Sequence, residues 1–127
     1  MLTSSSRPRF FNLFKIYLPM AGLMSIAHRI SGLFLCLSLP FFITLFHYSL
    51  KSQADFQMVY QFLSSMAGTI ILFIFLWAIF HHLLAGIRYL LIDMGYGVER
   101  QIYQKTAWQV IILAPLFALI LCGLIHP

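Results

Sequence analysis

Two short stretches carry most of the chemically versatile side chains in this sequence. They are Ser25-Ile26-Ala27-His28-Arg29-Ile30-Ser31-Gly32, and His81-His82-Leu83-Leu84-Ala85-Gly86-Ile87-Arg88-Tyr89 followed by Asp93. On a helix, Ser25, His28, Arg29 and Gly32 fall at i, i+3, i+4 and i+7, which is one face. His82, Gly86, Tyr89 and Asp93 share a face at i, i+4, i+7 and i+11. His81 and Arg88 point about 100° away from it. Imidazole, guanidinium and hydroxyl groups arranged this way can bind a polar or anionic cofactor, ligate a metal-bearing one, polarise a reducible carbonyl, or line an ion path.

The elements that must position these groups are apolar. The 127 residues are 61% hydrophobic and 9% charged, with a mean hydropathy of +0.92. A soluble domain carries about 25% charged residues, so this chain cannot cover a water-facing surface, and its solvent is a bilayer. The length suits one domain, residues 1–127, rather than two. Three apolar segments, approximately 20–50, 62–92 and 107–125, are each long enough for a hydrocarbon core of about 30 Å. In lipid each must be helical, because an isolated strand leaves its backbone polar groups unpaired. The expected fold is therefore all-α and integral to the membrane, with three transmembrane helices. Pro40 and Pro115 lie inside the first and third spans and are expected to kink them.

The net charge of +5 does not imply nucleic acid, because the eight basic residues form no phosphate-tracking stripe and cluster at span ends. Arg7, Arg9 and Lys15 precede the first span, and Arg100 and Lys105 lie between the second and third. The loop after the first span holds only Lys51, partly offset by Asp55. Five basic residues against one place the N-terminus in the cytoplasm and the C-terminus outside. The first span is not a signal peptide, since no small-residue cleavage site follows Phe46-His47-Tyr48. The Ser/Arg-rich start is very short for a mitochondrial presequence, which favours a bacterial inner membrane over a mitochondrial one. Cys36 and Cys122 match no metal or redox spacing and are expected as buried free thiols.

Depth brings the two stretches together. Measured from Asp93, His82 lies about 16 Å in at 1.5 Å per residue, and Arg29 lies about 15 Å beyond Pro19. Neutral imidazoles from facing helices can serve as axial ligands of an electron-transfer haem. Gly86, one turn from His82, would admit a flat macrocycle, and Arg29 and His28 would compensate its propionates. By residue chemistry alone, His82 could equally hydrogen-bond across a helix interface. His81, on the other face, is expected to pack between helices.

At these residues the sequence resembles a known family. Ser25-Ile26-Ala27-His28-Arg29-Ile30-Ser31-Gly32 is similar to the S-I-x-H-R-x-[ST]-G signature of succinate dehydrogenase cytochrome b subunits. His82 through Asp93 resembles that family's H-x-x-x-G-I-R-H-x-x-x-D signature, and Arg7-Pro8 and the three-span layout also match. One position departs: Tyr89 stands where the family has a second histidine, and a tyrosine can donate a hydrogen bond but cannot be a cation.

The resemblance implies a membrane-anchor subunit within a heteromeric helix bundle, not a stand-alone enzyme. It implies haem b shared with a second small membrane anchor subunit, with His82 as the axial iron ligand and His28 and Arg29 beside the propionates. It implies ubiquinone as substrate, met by Ser25 and Arg29, and soluble iron–sulfur and flavoprotein subunits as partners. Rival readings are a haem-poor or menaquinone-linked fumarate reductase anchor, and a small transporter with Arg29, His28 and His82 along its path.

Overall fold

The computed structural model describes residues 18–125. Arg7-Pro8, Arg9 and Lys15, on which the orientation and part of the resemblance rest, lie outside the described residues. The chain forms four helices, α1 (Met20–Ser49), α2 (Gln53–Ser64), α3 (Met66–Asp93) and α4 (Arg100–Ile125), and the described residues contain no strand. Three of them, α1, α3 and α4, are long and apolar enough to cross a membrane. Side chains such as Leu33, Leu37, Phe46, Ile112 and Leu124 are exposed along them. That is the surface a hydrocarbon solvent requires.

The element between the first and second spans differs from the expectation of a plain loop. It is a helix, α2, started by Ser52, whose hydroxyl oxygen accepts from the Asp55 backbone N–H at 3.1 Å and whose O–H donates to the Asp55 carboxylate at 2.6 Å. The second span accordingly begins at Met66 rather than near Phe62. Ser65 breaks the helical path with an extended backbone (φ −71°, ψ 159°), and its hydroxyl caps α3 by accepting from Gly68 N–H at 3.1 Å. Gly68 is buried at this corner, where an added Cβ would lie 2.7 Å from Leu63 Cα. A single apolar run thus contains a break between two helices that hydropathy alone does not register.

At its other end α3 closes by a Schellman arrangement. Gly95 has φ +87°, its N–H donates to Ile92 O at 2.8 Å, and Tyr96 N–H donates to Leu91 O at 2.8 Å. Asp93 is the last, exposed residue of the helix. Then α4 starts at Arg100, seven residues before the apolar run that begins at Ala107, so its polar first turns extend the span.

Packing follows a small-residue rule. Ala78, Ala85, Ala107, Ala114 and Ala118 on α3 and α4 are all fully buried; Ala85 clusters with Ala107 and Val110, and Leu76 with Ala118 and Cys122. Helices in lipid gain no hydrophobic driving force from meeting, so they approach closely and gain dispersion contact instead. Against α1, α3 uses the Phe42–Phe75 ring stack at 3.9 Å. The helices run unbroken through Pro40 and Pro115. Cys122 is buried as expected, but Cys36, also expected to be buried, is exposed on α1.

Candidate functional site

The site forms between α1 and α3, at Gly32 and His82. Ser31 is fully buried on α1, and next to it Gly32 has no side chain. A Cβ on Gly32 would lie 2.7 Å from His82 Cε1 and 3.1 Å from His82 Nδ1, so the imidazole occupies the space a methyl would fill. His82 Nδ1 is 3.2 Å from the His28 carbonyl oxygen and 3.5 Å from Ser31 Oγ. Ser31 O–H donates to that same carbonyl at 2.8 Å. A carbonyl can only accept, so Nδ1 carries the proton and donates, and the lone pair resides on Nε2.

The His28 imidazole stacks on that of His82, with centroids 4.3 Å apart and planes 12° from parallel. Stacking occupies a ring face, whereas a metal approaches an imidazole nitrogen in the ring plane, so the stack leaves ligation by Nε2 open. Tyr89 joins the cluster with its ring 5.3 Å from that of His28. The structure therefore sets His28 of α1 against both His82 and Tyr89 of α3. Gly86 faces the same group: a Cβ there would lie 3.7 Å from His28 Nε2, an ordinary contact. The glycine on which the close approach depends is Gly32, one that the sequence motif contains but whose partner only the pairing of α1 with α3 reveals.

Ser25 and Arg29 form a second pair on the outer side of α1. Arg29 is exposed, and its Nη2 donates to Ser25 Oγ at 3.2 Å. With its oxygen accepting from a guanidinium, the serine keeps its own proton available for an acceptor outside the chain. An arginine on a membrane helix costs at least about 2.5 kcal/mol on insertion scales unless something polar meets it.

The histidine beside His82 behaves differently. His81 is 1% exposed, packs near Trp77 with ring centroids 5.5 Å apart, and belongs to the helix-packing interior. Arg88 does not pair with Asp93. It turns to α4, where Nε donates to Thr106 Oγ1 at 2.9 Å, Nη2 donates to Tyr103 O at 2.8 Å, and the guanidinium lies 4.2 Å from the Tyr103 ring. Among the described residues no group of three His, Cys, Asp or Glu converges, so no chelating site for a bare ion is present among them. A single presented imidazole suits a metal whose other ligands arrive with a macrocycle and a second polypeptide.

Comparison with known proteins gives a consistent set of likenesses. A family profile described as the succinate dehydrogenase/fumarate reductase transmembrane subunit matches residues 3–122. The chain is 31% identical to the succinate dehydrogenase cytochrome b556 subunit of Coxiella burnetii, over 94% of this chain and 96% of that protein. It is 37% identical to the cytochrome b560 subunit of Reclinomonas americana, over 81% and 75% of the two chains. To the cytochrome b556 subunit of Paracoccus denitrificans it is 34% identical, over 71% and 69%.

Proposed function

Since the chain belongs to the succinate dehydrogenase/fumarate reductase transmembrane subunit family, we propose that it is the cytochrome b anchor of a succinate:ubiquinone oxidoreductase. In this reading residues 1–127 form one anchor domain in a bacterial inner membrane, with the N-terminus cytoplasmic. The flavoprotein and iron–sulfur subunits dock on the cytoplasmic side, and a second small membrane subunit completes the helix bundle.

His82 would hold the iron of a haem b shared with that second subunit. The observation that carries this is the His82 Nδ1–H donating to the His28 carbonyl at 3.2 Å. A ligating histidine is fixed in tautomer and orientation by a hydrogen bond of its other ring nitrogen, and this is such a bond. When bound, the haem supplies a one-electron relay. The chain's own part is to hold the imidazole between Gly32 and His28 and to offset propionate charge with His28 and Arg29.

Arg29 and Ser25 meet ubiquinone. As the quinone takes up two electrons and two protons, negative charge develops on its carbonyl oxygen. The Arg29 cation and the Ser25 O–H stabilise that charge.

The test is the reduced-minus-oxidised absorption spectrum of the purified complex. His82→Leu removes or shifts the haem α-band while the soluble subunits still oxidise succinate with an artificial acceptor. An unchanged haem spectrum in that variant would refute the ligand assignment.

A further inference from the structure

On the opposite side of α3 from the histidine cluster, a groove between α3 and α4 encloses about 300 Å³. Its walls are apolar along Leu84, Ile87, Leu91 and Leu113, and polar at Arg88, Thr106 and Gln109. Ile87, Leu91 and Leu113 are also exposed at the bundle surface, so the groove is in reach of lipid.

Arg88 sets the chemistry. The side chain is 5% exposed, and its neighbours there are a hydroxyl, a carbonyl and two tyrosine rings, none of them anionic. Its Nη1 is buried without a hydrogen-bond partner. A full positive charge is thus held about 8 Å inside the end of α3, five residues before Asp93, with donor capacity unspent. It lies at the end of the bundle where α4 begins with Arg100 and where Lys105 follows. A groove with a cation at one end and an aliphatic floor matches an amphiphile with an anionic head and an acyl tail. Basic pockets between membrane helices recognise lipid phosphates in this way.

We propose that this groove binds one anionic phospholipid, its phosphodiester held by Arg88 with Thr106 and Gln109 as polar neighbours, and one acyl chain lying along Leu84, Ile87 and Leu113. The lipid supplies the negative charge that neutralises the buried guanidinium and fills the α3–α4 furrow. The proposal is independent of the haem and quinone assignments, since it uses neither histidine cluster nor Arg29.

Native mass spectrometry of the whole complex, delipidated and then exposed to vesicles of phosphatidylglycerol or of phosphatidylcholine, tests this. The wild-type complex retains phosphatidylglycerol in preference to phosphatidylcholine. Arg88→Gln weakens retention by at least about tenfold, as loss of a charge-assisted hydrogen bond requires, and Arg88→Lys restores part of it. Leu113→Trp keeps the arginine and its bonds to α4 but fills the groove, and it also loses the lipid while the haem spectrum stays as in wild type. Equal retention of the two lipids, retention of ubiquinone in place of lipid, or unchanged phosphatidylglycerol binding in Leu113→Trp would overturn it.

Discussion

Gly32→Ala is the smallest perturbation that separates the two-helix geometry from the chemistry of the histidine itself. The new methyl would lie 2.7 Å from His82 Cε1, whereas carbon atoms rest at roughly 3.5–4.0 Å, so the ring must retreat by about 1 Å. The His82 Nδ1–His28 O bond is already 3.2 Å long. A retreat of that size carries it to about 4 Å, beyond hydrogen bonding. The lost bond costs about 1 kcal/mol, and the overpacked contact adds about 1–3 kcal/mol. A metal ligand deprived of its orienting partner loses roughly 10–100-fold in affinity. The assay is haem per complex, measured by pyridine haemochrome after growth with limiting haem, with the midpoint potential alongside. Gly123→Ala is the control, because a Cβ at that exposed position near the far end of α4 would meet nothing within 4 Å. Expected is a drop in haem content and a displaced potential for Gly32→Ala, and near wild-type values for Gly123→Ala. If the two variants behave alike, the reasoning from the Gly32–His82 contact fails.

Arg29→Ala should lower ubiquinone reduction by about tenfold or more, the scale for removing one stabilising donor, while succinate oxidation by a water-soluble acceptor persists; equal loss of both activities would remove Arg29 from the quinone site. Ser25→Ala should show the same pattern more weakly, read from the same pair of assays. Ala118→Leu forces a branched side chain into a fully buried position between α3 and α4 and should destabilise the complex by about 1–3 kcal/mol. Thermal denaturation would show the lowered midpoint, and Ala118→Ser should cost little by comparison.

The three spanning helices are legible because the bilayer leaves one solution for long apolar runs. The meeting of His28 with His82 is legible because helical rise alone sets their depths. What escapes the sequence is whatever depends on pairing. Ser52-Gln53-Ala54-Asp55 is a capping signature that announces α2 in advance, but the run through Phe62 and Leu63 masks the break at Ser65 by merging two helices into one hydropathy peak. Gly32 reads as a motif letter until α3 is laid beside it. Arg88 is correctly turned off the His82 face by spacing, yet its partners Thr106 and Tyr103 lie on α4, beyond any local pattern. The helical start at Arg100 is hidden because its first turns are polar and reveal themselves only by periodicity.

The alanine seam between α3 and α4 has a consequence for the order in which such a complex can be built. Ala85, Ala107, Ala114 and Ala118 are already fully covered within the lone polypeptide, so the alanine contacts of that hairpin need no second protein subunit. The flank bearing Arg29 stays exposed, and His82 is only part-covered. A newly inserted copy can therefore set its alanine seam before any sister polypeptide arrives, whereas the Arg29 flank is left for a later neighbour to cover.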